Sequence, residues 1–246
     1  MRRLLPSPTA ERVDGPAAYL ADDRPKRADR PWVVLNMVVT VDGATAVEGR
    51  SGPMSSPGDR ALFMALRAAA DVIMVGARTA RDEDYGPVRL DPELRAVRRS
   101  QGRPDLPILA VVSRSLDLDP AARLFADSDD RPLVLTGGDA PADRRRQLEG
   151  VATVVEAGTS GVDPMEAMAV LGGRGAQVVL CEGGPSLNAQ LIAADLVDEV
   201  CVTTAPLLAL GPSPRLAVAD AVALRHLTLD RVLEEGGHLF CRYVRR

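Results

Sequence analysis

The sequence predicts an α/β fold built on one mainly parallel sheet. From about residue 31 onward, short apolar runs alternate with segments whose apolar residues recur at helical spacing. This alternation is typical of parallel strands joined by crossover helices. The last two runs, RHLTLDRV and HLFCRYV, are joined by LEEGG, which predicts an antiparallel hairpin at a sheet edge. The pattern as a whole indicates about eight strands and four main helices.

The predicted elements follow one another without a long linker, which favours a single domain. Residues 1–30 are rich in Pro, Arg and Asp and are predicted to form a partly ordered arm, and residues 31–246 are predicted to form the domain. Before the hairpin, the predicted strands are 32–39, 71–76, 107–113, 131–136, 151–157, 176–182 and 199–206. The predicted helices are 57–70, 141–149, 163–172 and 186–195.

The first predicted strand, in PWVVLNMVVTVDGAT, carries two irregularities. Its apolar run is interrupted by Asn36, and it ends abruptly at Asp42 and Gly43. A buried amide costs roughly 1–3 kcal/mol without a hydrogen bond, so Asn36 requires a partner in the fold or in a ligand. Asp followed by Gly is typical of a turn, so Asp42 is predicted to form a turn rather than to act as an acid catalyst.

Composition argues against several classes of protein. The net charge is −4, and the aromatic residues are three Phe, three Tyr and one Trp, so neither a basic nucleic-acid surface nor a base-stacking platform is expected. No stretch approaches the ~18 apolar residues of a membrane-spanning helix. The three cysteines and two histidines lack ligand spacing, so no metal site is predicted. Reduced thiols and a cytoplasmic location are the simplest expectation.

The stretch EGGPSL, residues 182–187, is the first candidate binding segment. A predicted strand ends at Glu182, Gly183 and Gly184 permit a tight turn, and Pro185 suits the first turn of the following helix. The free N–H groups and dipole of such a helix start attract anions. Spacing alone does not distinguish this anion site from an ordinary turn, and the missing G-x-G-x-x-G argues against a standard dinucleotide fold.

A second candidate region surrounds the helix that begins near residue 57. Ser56 is predicted to cap it, with Asp59 three residues further on. Arg78, Thr79, Arg81 and the acids at 82–84 follow the next predicted strand, where open α/β sheets collect ligands. For any one of them taken alone, a solvated loop residue is the favoured interpretation. The polar stretch 89–105 is interrupted by proline and is predicted to be a surface excursion.

Three stretches together resemble the reductase domain of bacterial riboflavin biosynthesis, a member of the dihydrofolate-reductase-like superfamily. They are NMVVTVDGAT, GPMSSPGDRALFMALRAAADVIMVGARTARDED and CEGGPSLNAQLIAADLVDEVCVTTAPLLALG, within a similarity that spans roughly residues 30 to 245. The resemblance implies a mixed, mainly parallel sheet flanked by helices, with NADPH across the carboxyl ends of the strands. It also implies hydride transfer that converts the ribosyl group of an aminopyrimidine phosphate into ribityl.

The resemblance further implies roles for individual residues. Those expected to contact NADPH are Val39, Thr40, Arg78, Thr79, Glu83, Ser113, Gly183, Gly184, Pro185, Ser186 and Leu187. Those expected to hold the substrate are Asn36, Ser51, Arg67, Arg89 and Glu182. Arg78 stands where the family often has a small residue, and its guanidinium could pair with the 2′-phosphate of NADPH. Glu182 or an ordered water is the expected proton donor.

Asn36 departs from the family pattern, which typically has a lysine that reaches the pyrimidine. Asparagine donates and accepts hydrogen bonds but brings no charge. The favoured function is still reduction of 5-amino-6-(5-phosphoribosylamino)uracil to its ribityl form. The amide leaves open a dihydrofolate or pterin reductase on the same fold. A third alternative, from a different class, is a nucleotide-binding protein without turnover.

Many members of the resembled family also carry an N-terminal zinc deaminase. Its H-x-E and P-C-x-x-C signatures are missing here, so we expect this chain to reduce but not to deaminate. The resemblance implies a homodimer that binds a small-molecule substrate. Composition argues against a nucleic-acid or membrane partner. LVDEVCVTTAPLLAL and the final hairpin are apolar enough for a dimer interface, but they would serve equally well as core.

Overall fold

The structure, a computed structural model, describes residues 1–6, 12–126 and 131–245. Within these ranges it contains ten strands and eight α-helices. The strands are β1 Arg2–Leu5, β2 Trp32–Thr40, β3 Val72–Gly76, β4 Ile108–Val112, β5 Leu133–Thr136, β6 Thr153–Glu156, β7 Val178–Cys181, β8 Glu199–Ala205, β9 Thr228–Glu235 and β10 His238–Val244. The helices are α1 Gly15–Leu20, α2 Pro57–Ala69, α3 Ala77–Asp82, α4 Pro92–Ser100, α5 Arg123–Ala126, α6 Ala142–Glu149, α7 Pro164–Gly173 and α8 Pro185–Ala193.

All ten strands form one sheet in the order β1-β9-β10-β8-β2-β7-β3-β4-β5-β6. The pairs from β8 to β6 are parallel, whereas β8–β10, β10–β9 and β9–β1 are antiparallel. The predicted mixed, mainly parallel sheet is therefore confirmed, as is the antiparallel hairpin at its edge. The strand count exceeds the predicted eight partly because β1 lies inside the segment expected to be an arm.

Helices cover both faces of the sheet. On one face, α7 and α8 bury Met168, Leu171, Leu187 and Leu191 against β2, β3 and β7. On the other face, α2 packs on β2 and β7, while α3, α5 and α6 pack on β3, β4 and β5. Because all these strands are parallel, their carboxyl ends meet at one rim, between α2 on one side and the start of α8 on the other.

The stretch 89–105 is more ordered than the sequence prediction of a surface excursion. It contains α4, whose N-cap is Asp91 and whose first residue is Pro92. The prediction treated this proline as an interruption, although proline is favoured at the first position of a helix. Arg98 of α4 is 1% exposed and donates to the carbonyls of Ala68 and Ala70, so it satisfies carbonyl groups at the end of α2.

Three arginines of the segment predicted as an N-terminal arm form ion pairs at the amino ends of β2 and β8. The fully buried carboxylate of Asp198 accepts hydrogen bonds from Arg30 at 2.6 and 2.9 Å and from Arg27 at 2.6 Å. Glu199, also fully buried, accepts from Arg24 at 2.9 and 3.1 Å and from Arg242 at 3.0 and 3.2 Å. These carboxylates lie at the opposite end of the strands from the rim described above.

No helix in the described ranges is long and apolar enough to cross a membrane.

Candidate active site

A cavity of about 1610 Å³ opens at the carboxyl ends of β2, β3 and β7. Ordinary ligand pockets occupy about 300–1,000 Å³, so this one has room for a coenzyme and a second ligand. Fourteen of the sixteen residues predicted to contact a ligand line it. They are Asn36, Ser51, Arg67, Arg78, Thr79, Glu83, Arg89, Ser113, Glu182, Gly183, Gly184, Pro185, Ser186 and Leu187. Val39 and Thr40 are the two exceptions.

The end of β2 explains why Val39 and Thr40 are not in the cavity wall. Only residues 36–38 of β2 reach the cavity, and the strand then runs on past it. The Thr40 hydroxyl, 2% exposed as a residue, donates to Asp42 and accepts from the N–H of Ala44 at 2.9 Å. Thr40 therefore closes a turn and does not line the cavity, and the coenzyme contact expected at this position stays a prediction.

Asp42 has the turn-forming role that the sequence predicted. Its carboxylate accepts from the Thr40 hydroxyl and from the backbone N–H groups of Ala209 and Leu210. Hydrogen bonds from Thr40, then Leu210 and Ala209, lower the pKa of Asp42 to about 2. Asp42 thus links the end of β2 to the loop after β8.

Asn36 lies beside Glu182 on the α2 face of the sheet. Leu35 pairs with Cys181, so the next residues along these parallel strands, Asn36 and Glu182, are neighbours that point to the same side. Asn36 is half-buried, and its carboxamide makes no hydrogen bond with any residue that the structure describes. The amide that interrupts the apolar strand therefore faces the cavity, where a ligand can supply its partner.

Glu182 is held by two neighbours on the same wall. Arg67 donates from Nε and Nη2 to its two carboxylate oxygens, both at 2.7 Å, and the Tyr85 hydroxyl donates to Oε2 at 2.7 Å. The Arg67 guanidinium also lies 4.2 Å from the centroid of the Phe63 ring. Burial and then the Glu182 carboxylate raise the pKa of Tyr85 well above its usual value. Burial alone would lower the pKa of Arg67, but Glu182 outweighs it and raises that pKa.

This arrangement bears on the predicted role of Glu182 as a proton donor. The carboxylate acts as the acceptor in all three hydrogen bonds, and it is 2% exposed as a side chain. Both carboxylate oxygens are therefore already engaged by neighbouring side chains. The geometry therefore favours a positioning role for Glu182, which fixes Arg67 and Tyr85 at the cavity wall.

The turn from β7 to α8 forms the opposite wall. Gly183 and Gly184 have φ values of 100° and 69°, which favour glycine. The Gly183 carbonyl accepts from the N–H of Gly76 at 2.9 Å, and a Cβ on Gly184 would lie 2.9 Å from Thr79 Oγ1. The backbone can thus approach a ligand closely at the start of α8, where N–H groups and the helix dipole favour an anion.

The residues after β3 have mixed roles. Glu83 accepts from the N–H of Ser51 at 2.8 Å, so its carboxylate holds the loop that brings Ser51 to the cavity. Thr79 contacts the Gly184 turn, and Ser113 is 4% exposed at the end of β4. Arg78 has an 88% exposed side chain whose only ion pair among the described residues is with Asp82, at 3.4 Å. It is free to reorient toward a ligand.

A loop after β8, residues 209–218, covers part of the cavity. Besides its contacts with Asp42, its Ser213 hydroxyl accepts from the N–H of Thr45 at 3.0 Å. The Leu216 carbonyl accepts from Asn188 Nδ2 at 2.8 Å, and Pro212, Pro214 and Val218 line the cavity. Asn188 is fully buried in α8. The loop is therefore hydrogen-bonded both to α8 and to the segment that follows β2.

The residues that the sequence prediction missed on the α2 side of the cavity include Arg60, Phe63, Met64 and Tyr85. The first three could have been found, because with Arg67 they recur at helical spacing opposite the apolar stripe of α2. Tyr85 gave a weaker signal as one of only three tyrosines, in a loop with no periodic pattern. Its contact with Glu182 depends on how β3 and β7 lie in the sheet.

Comparisons with known proteins agree with this geometry. The family model described as the RibD C-terminal domain matches residues 31–237. The chain is 33% identical over 224 residues to the 2,5-diamino-6-ribosylamino-4(3H)-pyrimidinone 5′-phosphate reductase of Methanothermobacter thermautotrophicus, covering 87% of this chain and 98% of that protein. The Archaeoglobus fulgidus protein of the same name is 31% identical, with 88% and 100% covered.

Solved structures place the chain in the same group. A pyrimidine reductase-like protein from Corynebacterium diphtheriae superposes with a TM-score of 0.79 at 32% identity, covering 89% of this chain and 93% of that one. The resemblance and the fold class that it implied are thus confirmed by both sequence and structure. On this evidence the chain belongs to the RibD C-terminal domain family.

Proposed function

We propose that this protein is a reductase that uses NADPH to convert a ribosylaminopyrimidine 5′-phosphate into its ribityl form. The observation that carries the proposal is the cavity itself, which has a glycine turn and helix start on one wall and the Asn36, Arg67 and Glu182 cluster on the other. The glycine turn and helix start suit the pyrophosphate of the coenzyme, and the polar cluster suits the ring of the substrate. The names of relatives at 31–33% identity support the same activity.

The residues of the α8 wall fit a nicotinamide coenzyme. Gly183 and Gly184 leave open backbone at the helix start, where a side chain on Gly184 would meet Thr79 at 2.9 Å. The backbone N–H groups of Gly184, Ser186 and Leu187 and the Ser186 hydroxyl would hold the pyrophosphate. Pro185 has no N–H and would contribute by starting the helix at this point. When bound, the coenzyme supplies the hydride. The exposed guanidinium of Arg78 supports NADPH over NADH, because it can reach a 2′-phosphate.

The opposite wall would orient the substrate. Asn36 offers a donor and an acceptor to the pyrimidine edge, while Arg67 is held in place by Glu182 and Phe63. Ser51 and Arg89 line the cavity beyond them. We propose that the hydride reaches the ribosyl C1 of the ring-opened imine and that an ordered water delivers the proton to its nitrogen. Orientation and exclusion of bulk water are then the main contributions of the protein.

The substrate has two candidate forms, which differ at position 2 of the ring. The form expected from sequence, 5-amino-6-(5-phosphoribosylamino)uracil, has an oxygen there, whereas the substrate in the names of the archaeal relatives has an amino group. We favour the amino form because of those names, and because Asn36 can accept a hydrogen bond from an amino group without a charge. Dihydrofolate and the non-catalytic alternative gain no support from the relatives.

The test is oxidation of NADPH by the purified protein with each of three substrates offered separately. They are the 2,5-diaminopyrimidinone phosphate, the uracil phosphate and dihydrofolate. Faster turnover of either pyrimidine supports the proposal and identifies the preferred form. Turnover of dihydrofolate alone would contradict it, and coenzyme binding without turnover of any compound would favour the non-catalytic alternative.

We also propose that the protein is a cytoplasmic homodimer. The three cysteines are free thiols, which suits a reducing compartment. Most large apolar side chains exposed in the described residues lie in the loop after β8 and on the final hairpin: Leu207, Leu208, Leu210, Val218, Val222, Leu224, Leu227, Leu229 and Leu239. A second copy would bury this surface. Sedimentation at micromolar concentration tests the dimer, and a monomer there would contradict it.

A further inference from the structure

Asn188 is a fully buried amide in α8, where its neighbours Leu187 and Leu191 are buried apolar side chains. Its Nδ2 donates to the Leu216 carbonyl at 2.8 Å and to Met37 Sδ at 3.5 Å. Its Oδ1 accepts from the Cys181 thiol at 3.4 Å. A buried amide is costly unless its groups have partners, so the groups that Asn188 binds indicate what it does.

The three partners of Asn188 come from three segments at the same part of the cavity. Met37 in β2 lines the cavity, Cys181 directly precedes Glu182, and Leu216 lies in the loop that covers part of the cavity. Asn188 is not itself among the lining residues. Any effect that it has on a ligand must therefore pass through these partners.

Met37 lies between the part of the wall that suits the substrate and the part that suits the coenzyme. It follows Asn36 in β2, and alternate residues of a strand point to opposite faces, so Asn36 faces α2 and Met37 faces α8. A Cβ on Gly183 would lie 3.1 Å from Met37 Sδ, so Met37 packs against the turn between Glu182 and Gly184. Hydride transfer from a coenzyme at the start of α8 to a substrate beside Asn36 would take place next to Met37.

The loop that Asn188 binds is also attached beside the end of β2. The Ser213 hydroxyl accepts from the N–H of Thr45 at 3.0 Å, and the Thr45 hydroxyl donates to the Pro214 carbonyl at 2.9 Å. These contacts hold one half of the loop, and the bond from Asn188 to Leu216 helps to hold the half nearer α8. A loop attached on both sides keeps its position over the cavity and limits the access of water.

We propose that Asn188 is a positioning residue for hydride transfer. By binding Met37 and the loop after β8 together, it fixes the boundary at which the two ligands meet and keeps bulk water out of it. The inference rests on the proposed function and adds to it a residue that touches neither ligand. We expect an effect on the chemical step rather than on substrate affinity, because the pair of Arg67 and Glu182 stays in place.

The test compares Asn188→Leu, which has a similar branched shape and no hydrogen-bonding groups, with the unchanged protein. We expect kcat to fall about tenfold to a hundredfold, since a small misplacement of the reacting atoms has effects of this size, with the substrate KM within about twofold. The primary isotope effect with NADPH deuterated at the transferred hydrogen should increase, because a slower hydride transfer limits the rate more strongly. Asn188→Ala is the second variant if Asn188→Leu does not fold.

Cleavage by trypsin gives a readout that does not depend on turnover. Arg215 is exposed in the loop, and the bond after it precedes Leu216, whose carbonyl Asn188 binds. We expect both Asn188 variants to be cut after Arg215 faster than the unchanged protein, at a temperature where all are folded. Mass spectrometry of the fragments identifies this cut among those at other arginines.

The control is Leu171→Ala, which destabilises the core on the same face of the sheet at a distance from the cavity. Leu171 is fully buried in α7, and a Cβ on the adjacent Gly172 would lie 3.4 Å from Pro31, before the amino end of β2. We expect its Tm to fall while kcat, the isotope effect and cleavage after Arg215 stay unchanged. If the Asn188 variants also lose only Tm, or change KM and not kcat, the inference is overturned.

Failure of the proposed function would give a different result. The unchanged protein would then oxidise NADPH with none of the three substrates. The cleavage comparison would still decide whether Asn188 holds the loop: faster cleavage after Arg215 would support that part of the inference, and unchanged cleavage would overturn it.

Discussion

The guanidinium of Arg67 and the carboxylate of Glu182 meet through two hydrogen bonds of 2.7 Å at the wall of the cavity. Arg67 comes from α2 and Glu182 from the end of β7, so the pair joins a helix on one face of the sheet to the rim of the strands. The side chains are 16% and 2% exposed. Removing either partner leaves a mostly buried charge.

We expect Glu182→Gln to destabilise the fold by about 3–5 kcal/mol, since breaking a buried ion pair leaves its partner uncompensated. Urea unfolding measures this change. We also expect KM for the substrate to rise, because Arg67 loses its fixed orientation. Tyr85→Phe is the milder comparison: it removes one hydrogen bond to the carboxylate, worth about 1.5–3 kcal/mol, and keeps the ion pair. Equal stability of Glu182→Gln and the unchanged protein would contradict the importance of the pair.

Asp42 should make stability depend on pH at the acid end. Its pKa is about 2 in the folded protein, below the usual value of about 3.9 for an unfolded chain. The unfolded state therefore binds the proton more readily, so the stabilisation by Asp42 is present above about pH 4 and is lost as the pH falls toward 2. The difference in Tm between the unchanged protein and Asp42→Asn should shrink across that interval. A difference that stays constant from pH 6 to 2 would count against this role.

The glycine turn before α8 should tolerate no side chain. Gly184 has φ 69° and ψ 142°, a conformation almost restricted to glycine, and an added Cβ would lie 2.9 Å from Thr79 Oγ1. We expect Gly184→Ala to cost about 1–3 kcal/mol in stability. We also expect it to weaken NADPH binding in a fluorescence titration. Gly173→Ala is the control, because nothing lies within 4 Å of that Cβ position; equal losses in both variants would contradict the prediction.

Coenzyme preference tests the proposed role of Arg78. We expect NADPH to raise the Tm of the unchanged protein more than NADH does at the same concentration, and Arg78→Gln to reduce this difference by weakening NADPH alone. Arg114→Gln is a matched comparison, since Arg114 also lines the cavity and also makes a long ion pair, 3.4 Å from Asp139. If Arg114→Gln removes the preference for NADPH and Arg78→Gln does not, the role proposed for Arg78 is contradicted. The 2′-phosphate would then be bound by Arg114, after β4.

The buried carboxylate of Asp198 should matter for stability rather than for catalysis. Asp198→Asn leaves Arg27 and Arg30 without their anion, which we expect to cost about 3–5 kcal/mol in urea unfolding. KM for NADPH should be unchanged at temperatures where the variant is folded, because Asp198 lies at the amino ends of the strands. Asp195→Asn, which removes an exposed carboxylate paired with Arg245, should have a much smaller effect. A comparable loss there would argue against a special role for the buried pair.

Several features of the site were predictable because their signals are local. The Ser56 cap is confirmed by its hydrogen bond from the N–H of Asp59. The Asp42 turn is confirmed by the hydrogen bond from the Thr40 hydroxyl to Asp42 and by that from the Gly43 N–H to the Thr40 carbonyl. The tight turn at Gly183 and Gly184 and the helix start after it also follow from a strand, two glycines and a proline in succession. Each of these features depends on residues within a few positions of one another, so the sequence order alone brings them together.

The helix α4 and the role of Tyr85 were not predictable in the same way. The stretch around Asp91 contained a helix cap and Pro92, but its high polarity obscured them, and the burial of Arg98 depends on the nearby end of α2. Tyr85 and Glu182 are 97 positions apart in the chain. Their contact exists because β3 and β7 are adjacent in the sheet, which no local pattern specifies.

By itself the sequence determined the alternation of strands and helices, the turns that end them and the family of the chain, because these depend on periodicity and short motifs. Only the tertiary structure decided what the buried acids do. Glu182 faces the cavity and is engaged by Arg67. Asp198 and Glu199 instead bind Arg24, Arg27 and Arg30 at the opposite end of the strands. The reason is physical: a buried carboxylate must find cations, and which cations are near depends on strand order and helix packing rather than on position along the chain.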